Sequence, residues 1–309
     1  MSQPTQTSRD TRRGVATRRL KALLAACLAV AMAAPAAMAD APAVSAPNAK
    51  FSLEGGSIGG NGGFLGLGSY TMPLGTLYGL QFDGAIGSID GDLLGGGGVH
   101  LFARDPSQYL LGGYGSFHSW NGVDIWRAAA EAELYHGAFT FSGLAGIEGV
   151  QGTASSNETR FFGQFDLAYY ATEDLKLSAG LDYASGTAMG TASIEYLIRE
   201  GLGTPVSLFA RGRYGASDYQ SLTAGLKVHF GADPAASLRT RHRTADPENY
   251  VPNFSTAMKN NNNYCAVDRS PDPERYYYPP GSCTCPPDTE PTGRIGDDFY
   301  CRLPVTDPT

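Results

Sequence analysis

Strict alternation of apolar and polar residues dominates the chain between residues 49 and 230. In 221–230, Leu222, Ala224, Leu226, Val228 and Phe230 point one way, while Ser221, Thr223, Gly225, Lys227 and His229 point the other. In 175–183, Leu175, Leu177, Ala179, Leu181 and Tyr183 oppose Lys176, Ser178, Gly180 and Asp182. Further along the same pattern, Trp126, Ala128 and Leu134 oppose Arg127, Glu131 and Glu133, and Ala192, Ile194, Tyr196 and Ile198 oppose Ser193, Glu195 and Arg199. Val206, Leu208 and Ala210 likewise oppose Ser207, Arg211 and Arg213. A period of two places successive side chains on opposite faces of a β-strand. Twelve strands are predicted, at 49–58, 62–72, 76–88, 94–104, 108–120, 125–136, 138–150, 160–171, 175–185, 188–199, 204–216 and 219–230. Glycine crowds the first two and the fifth, so ten is the other count.

A soluble sandwich also alternates. Strand length separates the two architectures: these runs last about 10–13 residues, against ~5–6 for soluble strands and ~9–11 for a tilted membrane strand. Tight turns join them, among them Met72-Pro73-Leu74-Gly75, Arg104-Asp105-Pro106-Ser107, Thr172-Glu173-Asp174 and Glu200-Gly201-Leu202-Gly203. Lipid offers no partner to a backbone amide, so such strands must close on themselves. The expected fold is all-β, an antiparallel transmembrane barrel. An even strand count leaves both barrel ends, and the turns just named, in the periplasm. The other side then carries loops at 59–63, 88–92, 119–124 and 151–159, with shorter turns near Ala184 and Ser217.

The N-terminus agrees with export. Arg9, Arg12, Arg13, Arg18, Arg19 and Lys21 precede an apolar stretch from Ala22 to Ala34, and Ala37-Met38-Ala39 offers a cleavage site before Asp40. This order reads as a signal peptide over 1–39. Leu24-Ala25-Ala26-Cys27 has the spelling of a lipoprotein box, but it sits too close to Lys21 and the apolar run continues past it. The arginine pairs faintly resemble a twin-arginine signal, although nothing in the chain demands a cofactor inserted before export. Cleavage removes six of the 23 basic groups and one of the 30 acids, moving the formal charge from −7 to −12.

Composition then divides the mature chain. Residues 51–230 hold 35 of the 40 glycines and no cysteine, whereas 231–309 hold 12 of the 19 prolines and four of the five cysteines. The expected units are the barrel at 40–231, a linker with a basic cluster at 232–263 and a Cys/Pro-rich periplasmic extension at 264–309. An apolar content of 42% excludes a disordered chain, and the negative charge argues against a nucleic-acid partner.

Two resemblances sharpen this reading. Thr223-Ala224-Gly225-Leu226-Lys227-Val228-His229-Phe230 resembles the closing-strand signal read by the barrel-insertion machinery, with Gly225, Val228 and Phe230 in the signal positions. His100-Leu101-Phe102-Ala103-Arg104-Asp105-Pro106 and Leu238-Arg239-Thr240-Arg241-His242-Arg243 resemble segments of uncharacterised porin-like barrels of alphaproteobacteria. The resemblance covers roughly residues 49–250. It implies an outer-membrane location, with lipid and lipopolysaccharide as surroundings and homo-oligomers as in many porins.

The candidate site is the inward wall. Its charged members are Arg127, Glu131, Glu133, Asp166, Lys176, Asp182, Glu195, Arg199, Arg211, Arg213 and Lys227, with Gln81, Asp83, His100, Arg104, Glu148 and Gln164 beside them. One reading is a channel for passive diffusion of small polar solutes, with Glu131 and Glu133 set against Arg211 and Arg213 in a transverse field. The other is a structural or adhesive barrel whose acids and bases pair and whose bulky Phe162, Tyr170 and Phe209 fill the lumen.

A hydrolase has weaker support. His118-Ser119-Trp120-Asn121-Gly122 resembles the outer-membrane phospholipase motif, but Trp120 stands where the serine belongs, and Ser119 falls on the opposite strand face from His118. His118 and Trp120 are expected at the outer rim, in an aromatic girdle. Asn157-Glu158-Thr159 spells a glycosylation sequon within a loop. No cofactor is expected.

In the tail, Arg239, Arg241, His242 and Arg243 read as a solvated charge run or as a contact with headgroups or peptidoglycan at the periplasmic rim. Cys265, Cys283, Cys285 and Cys301 suggest two disulfides, with Cys283 and Cys285 each reaching Cys265 or Cys301. Cys-x-Cys lacks the usual zinc-knuckle spacing, so no metal is expected.

Overall fold

The computed structural model describes residues 41–152, 155–199, 203–215, 219–231, 233–252, 276–278, 290–295 and 298–302. Twelve strands form one closed barrel: β1 (Asn48–Ile58), β2 (Asn61–Leu74), β3 (Tyr78–Ile89), β4 (Asp92–Asp105), β5 (Tyr109–Trp120), β6 (Val123–His136), β7 (Phe139–Gly152), β8 (Ser155–Thr172), β9 (Leu175–Ala184), β10 (Thr187–Ile198), β11 (Val206–Gly215) and β12 (Gln220–Phe230). Each strand pairs antiparallel with its sequence neighbours, and β1 pairs with β12 from Ala49↔Phe230 to Ile58↔Ser221. All twelve expected strands are present. Closure leaves no unpaired sheet edge, the condition under which strands survive in lipid.

Both barrel termini, Asn48 and Phe230, lie at one end, here called the terminal mouth; the opposite end is the hairpin mouth. At the hairpin mouth the expected loops shrink to two residues. Asp90-Gly91, Asn121-Gly122 and Ser185-Gly186 all have positive φ at both positions (56° and 85°, 47° and 73°, 51° and 75°). That is the conformation of a type I′ turn, whose twist matches the flanking strands. Asn121-Gly122 is therefore hairpin chemistry. The predicted 151–159 loop is likewise mostly strand: β7 runs to Gly152 and β8 starts at Ser155, so Asn157-Glu158-Thr159 lies on β8.

The outward face is an apolar belt. Phe64, Ile86, Leu93, Leu181, Tyr214 and Leu222 are 61–71% exposed, far more than a soluble monomer leaves open around its whole girth. Strand parity sends Phe117 outward and His118 and Trp120 inward, so these two do not join an aromatic girdle. Trp120 packs with Leu65, Leu67, Ile89, Leu94 and Ile125 inside the hairpin mouth, and its indole donates to the Ile89 carbonyl (3.2 Å).

After β12 the chain turns back towards the lumen. A short helix, α1 (Leu238–Thr244), is capped by Ser237, whose hydroxyl accepts from the Thr240 amide, and Leu238 buries against Tyr170 and Leu197. Further on, β13 (Tyr276–Tyr278), β14 (Glu290–Ile295) and β15 (Asp298–Arg302) form a separate antiparallel sheet in the order β13-β15-β14. Cys301 falls on β15. Cys265, Cys283 and Cys285 lie outside the described residues, as do the signal segment 1–39, Asn260–Asn263 and the turn residues Glu200, Gly201 and Leu202.

The closing seam depends on Gly225. A Cβ there would lie 2.1 Å from the Leu53 carbonyl oxygen and 2.8 Å from the Glu54 Cα on β1, whereas a Cβ on Gly84 meets nothing within 4 Å. Gly225→Ala is expected to reduce the yield of folded barrel, read as the heat-dependent gel-mobility shift, while Gly84→Ala leaves it unchanged. Equal yields would refute the seam requirement.

Candidate functional site

The inward wall carries its charges as close pairs between strands that are adjacent or one strand apart. Arg127 on β6 donates through Nε and Nη2 to one Glu148 oxygen on β7 (3.1 and 2.9 Å). The other Glu148 oxygen accepts from the Ser185 backbone amide and from its hydroxyl (3.2 Å). Lys227 on β12 donates to both oxygens of Glu195 on β10 (3.0 and 3.1 Å). Arg211 lies 3.4 Å from Glu54 and Arg213 lies 3.6 Å from Asp182, which also accepts from Gln164 (2.8 Å). Arg127, Glu148, Lys227 and Glu195 are buried, so pairing offsets a desolvation penalty of several kcal/mol per ion, whereas Arg211 and Arg213 remain about a quarter exposed.

Other expected residues fall into different settings. Glu131 contacts His100 Nδ1 (2.8 Å), and His100 Nε2 contacts Asp83 (3.0 Å), placing an imidazole between two carboxylates. Glu133 accepts from the Tyr135 hydroxyl (2.7 Å). Asp166 lines a cavity of about 150 Å³ within the barrel. Arg199 stands beyond the end of β10 at the terminal rim, where it pairs with Asp174 (2.6 Å). The expected transverse field does not form, because Glu131 contacts His100 while Arg211 and Arg213 contact Glu54 and Asp182 on other strands. Phe162, Tyr170 and Phe209 do point inward and are buried, with Arg127 over Phe162 (4.5 Å) and Arg211 over Phe209 (5.0 Å).

The residues that strand periodicity missed are those in the lumen itself. The chain after α1 runs up the barrel. Lys50 pairs with Asp246 and donates to the Pro247 carbonyl, which also accepts from Gln81 (3.3 Å). Lys176 pairs with Glu248 (2.7 Å), the Asn249 amide donates to the Gly68 carbonyl (3.4 Å), and the Tyr114 hydroxyl donates to the Tyr250 carbonyl (3.0 Å). The Tyr250 ring lies 5.5 Å from Tyr114 and 5.9 Å from His100. The available signal was Asp246-Pro247-Glu248: two acids on one face of an extended stretch, in a chain whose Lys50 and Lys176 face inward.

The terminal mouth is stoppered as well. Val44 packs on Phe102, Leu110 and Tyr135, the Ala43 amide donates to the Thr76 carbonyl and the Ser45 amide to the Thr244 carbonyl (2.8 Å each). The basic cluster of α1 is tied into this stopper through side-chain bonds, with Arg241 buried and Arg239 and Arg243 half-exposed at the rim. Arg241 is buried and donates to the carbonyls of Asp233, Pro234 and Ala236, Arg243 donates to the Gly137 and Phe139 carbonyls, and Arg239 pairs with Glu173. Beside the lumen segment remains a cavity of about 150 Å³, lined by Asp166, Lys176, Glu195, Arg211, Arg213 and Glu248 among others.

Glu195, His242 and Glu248 bring one potential metal-ligand atom each within 4.8 Å of one another. Lys227 and Lys176 already hold the two carboxylates, so a divalent cation would have to displace two ammonium groups. The donor set does not fit a metal. His118 is buried with no hydrogen bond to Nδ1, and Ser119 lies on the opposite face of β5, so the two make no nucleophile–base pair.

No family model matches the chain, and no curated protein does. Among solved structures, the KdgM porin aligns at 9% identity and TM-score 0.42, over 60% of this chain and 99% of its own. The NanC porin aligns at 8% and 0.43 over 60% and 100%, and Omp33 of Acinetobacter baumannii at 14% and 0.36 over 60% and 97%. Likeness at this level carries nothing about activity; the closed barrel rests on the chain's own strand pairing.

Two outcomes follow from this geometry. Arg127→Ala strands the fully buried Glu148 without its cation and is expected to destabilise the barrel by about 3–5 kcal/mol, with Arg127→Ala/Glu148→Ala costing less; urea midpoints of the refolded variants measure it. The second concerns His242 in α1. Its pKa is lowered from 6.5 to about 3, first by burial and then by Lys176. Its neighbours Tyr170, Glu195 and Glu248 therefore surround a neutral ring. Docking of α1 is then at full strength above pH 6.5 and weakens as the pH falls from 6.5 towards 3. A spin label at Thr240→Cys, in a chain stripped of its own cysteines, should gain mobility between pH 6.5 and 5, and His242→Asn should flatten that profile.

Proposed function

We propose that this chain is an outer-membrane, porin-like barrel for small polar solutes whose passage is closed by its own residues 246–250. The observation that carries the reading is an inward wall of paired charges interrupted, among the described residues, by a peptide and not by wall side chains alone. Twelve strands enclose more space than the eight whose side chains just fill a barrel. The outward apolar belt supports the membrane placement, and the N-terminal export signal supports the outer membrane of a Gram-negative cell. Lipid and lipopolysaccharide are then its surroundings, and the closing strand its signal to the insertion machinery.

A non-conducting structural barrel is the second reading. The specific observation in its favour is the two-sided filling, with Val44 and α1 at the terminal mouth and the Trp120 cluster at the hairpin mouth. An enzymatic role has no supporting constellation among the described residues.

Planar-bilayer recording separates these readings. The mature chain 40–309 is expected to be silent or to open rarely, and the barrel ending at Gly231 to conduct in discrete steps. A truncated barrel that shows the gel-mobility shift of a folded protein but passes no ions would overturn the pore.

A further inference from the structure

The lumen segment has a direction, and the direction has a consequence for everything that follows it. Leu238 is buried against Tyr170 and Leu197, near the terminal-mouth ends of β8 and β10. Asp246 and Pro247 bind Lys50 and Gln81, the third and fourth residues into β1 and β3 from that same mouth. Tyr250 then reaches Tyr114, halfway along β5. Val251 packs on the cluster built from Ile89, Leu94, Trp120 and Val123, every one of them at the hairpin end of its strand. Pro252 lines the adjoining space with Ile58 and Tyr219. Asp246, Pro247 and Glu248 thus contact the terminal-mouth part of the wall, Asn249 and Tyr250 its middle, and Val251 the hairpin end. The reach is sufficient: the seven residues 246–252, beyond the αR cap Ala245, can span up to about 23 Å at roughly 3.3 Å each.

We propose that residues 245–252 are a transmembrane stalk, and that the chain beyond Pro252 is presented at the hairpin mouth, on the outer surface of the cell. A return through the same lumen has no room. Among the described residues the cavity beside the stalk is about 150 Å³, and a water occupies about 30 Å³ of liquid, so that cavity holds a few waters and not a second polypeptide. The outward assignment of the hairpin mouth follows from export: both strand termini stay on the side from which the chain arrives, and two-residue hairpins are the parts that cross. This inference replaces the periplasmic position expected for residues 264–309. A Pro-rich segment with four cysteines suits the exterior, where disulfides persist.

The proposal needs the membrane placement but not the pore: a truncated barrel that fails to conduct would leave it untouched. Three epitope tags test it in the full chain expressed in cells, one after Thr309, one in the Asn121-Gly122 hairpin and one between Pro106 and Ser107 at the terminal mouth. In intact cells the Thr309 and hairpin tags should bind antibody at the level seen after lysis, and the Pro106 tag only after lysis. A Thr309 tag hidden together with the Pro106 tag overturns the proposal, and so does a hairpin tag that is itself hidden. A tag-free measurement guards against interference with export. After mild reduction, a membrane-impermeant maleimide should label the chain on intact cells through Cys265, Cys283, Cys285 or Cys301, since residues 51–230 contain no cysteine. Labelling only after lysis is the overturning result.

Discussion

The structure depends on one constraint: strands behind a continuous apolar outer face have no water to bond there, so their amides and carbonyls must all find strand partners. Twelve strands meet it only by closing, and the β1–β12 seam makes the circle complete. Closure then creates the second problem of the fold. An inner surface that alternates with an apolar exterior is polar by default, and twelve strands enclose more space than that surface fills. Everything inside the barrel is a response to this surplus of polar wall.

The wall answers first by local pairing. Arg127 with Glu148, Lys227 with Glu195 and Arg213 with Asp182 join nearby strands, so each charge is balanced without reaching across the lumen. Pairs of this kind break even against desolvation at best, but a single survivor is expensive. The pattern therefore constrains substitution more than it adds stability. It also explains the absence of a transverse field, because a charge already matched at about 3 Å contributes little beyond its own neighbourhood.

Strand number, strand order and the inward parity of Lys176, Glu195 and Lys227 were legible because alternation with period two is enforced twice, by an apolar face outside and by a polar one inside. Turn length was misread. Asp90-Gly91 and Asn121-Gly122 are hairpin dipeptides, and strand pairing runs right up to them at Ile89↔Asp92 and Trp120↔Val123, inside the ranges 88–92 and 119–124 expected as loops. Trp120 was placed by residue type in a girdle, and strand parity overrode that preference. The lumen segment was least legible. Residues 238–252 have no strand alternation, and a basic helix followed by Asp246-Pro247-Glu248 looks like a solvated linker unless its partners are known. Those partners, Lys50 and Lys176, lie nearly two hundred and about seventy residues away, and only closure brings them together.

The division of labour between wall and segment bears on whether the lumen peptide is core or guest. Four wall cations, Arg127, Arg211, Arg213 and Lys227, have their carboxylate on the wall itself. Lys176 keeps Glu195 at 3.7 Å when Glu248 is set aside, so Lys50 is the cation most dependent on the segment. The other hydrogen bonds, involving Gln81, Asn249 and Tyr114, go to main-chain carbonyls that water can replace, and the Tyr250 ring and Val251 are the segment's apolar contacts. A core element would leave many buried charges and apolar faces unmatched on removal; this one leaves few. The barrel is thus built to stand with its lumen hydrated, and the segment occupies a passage that the wall does not need it to fill.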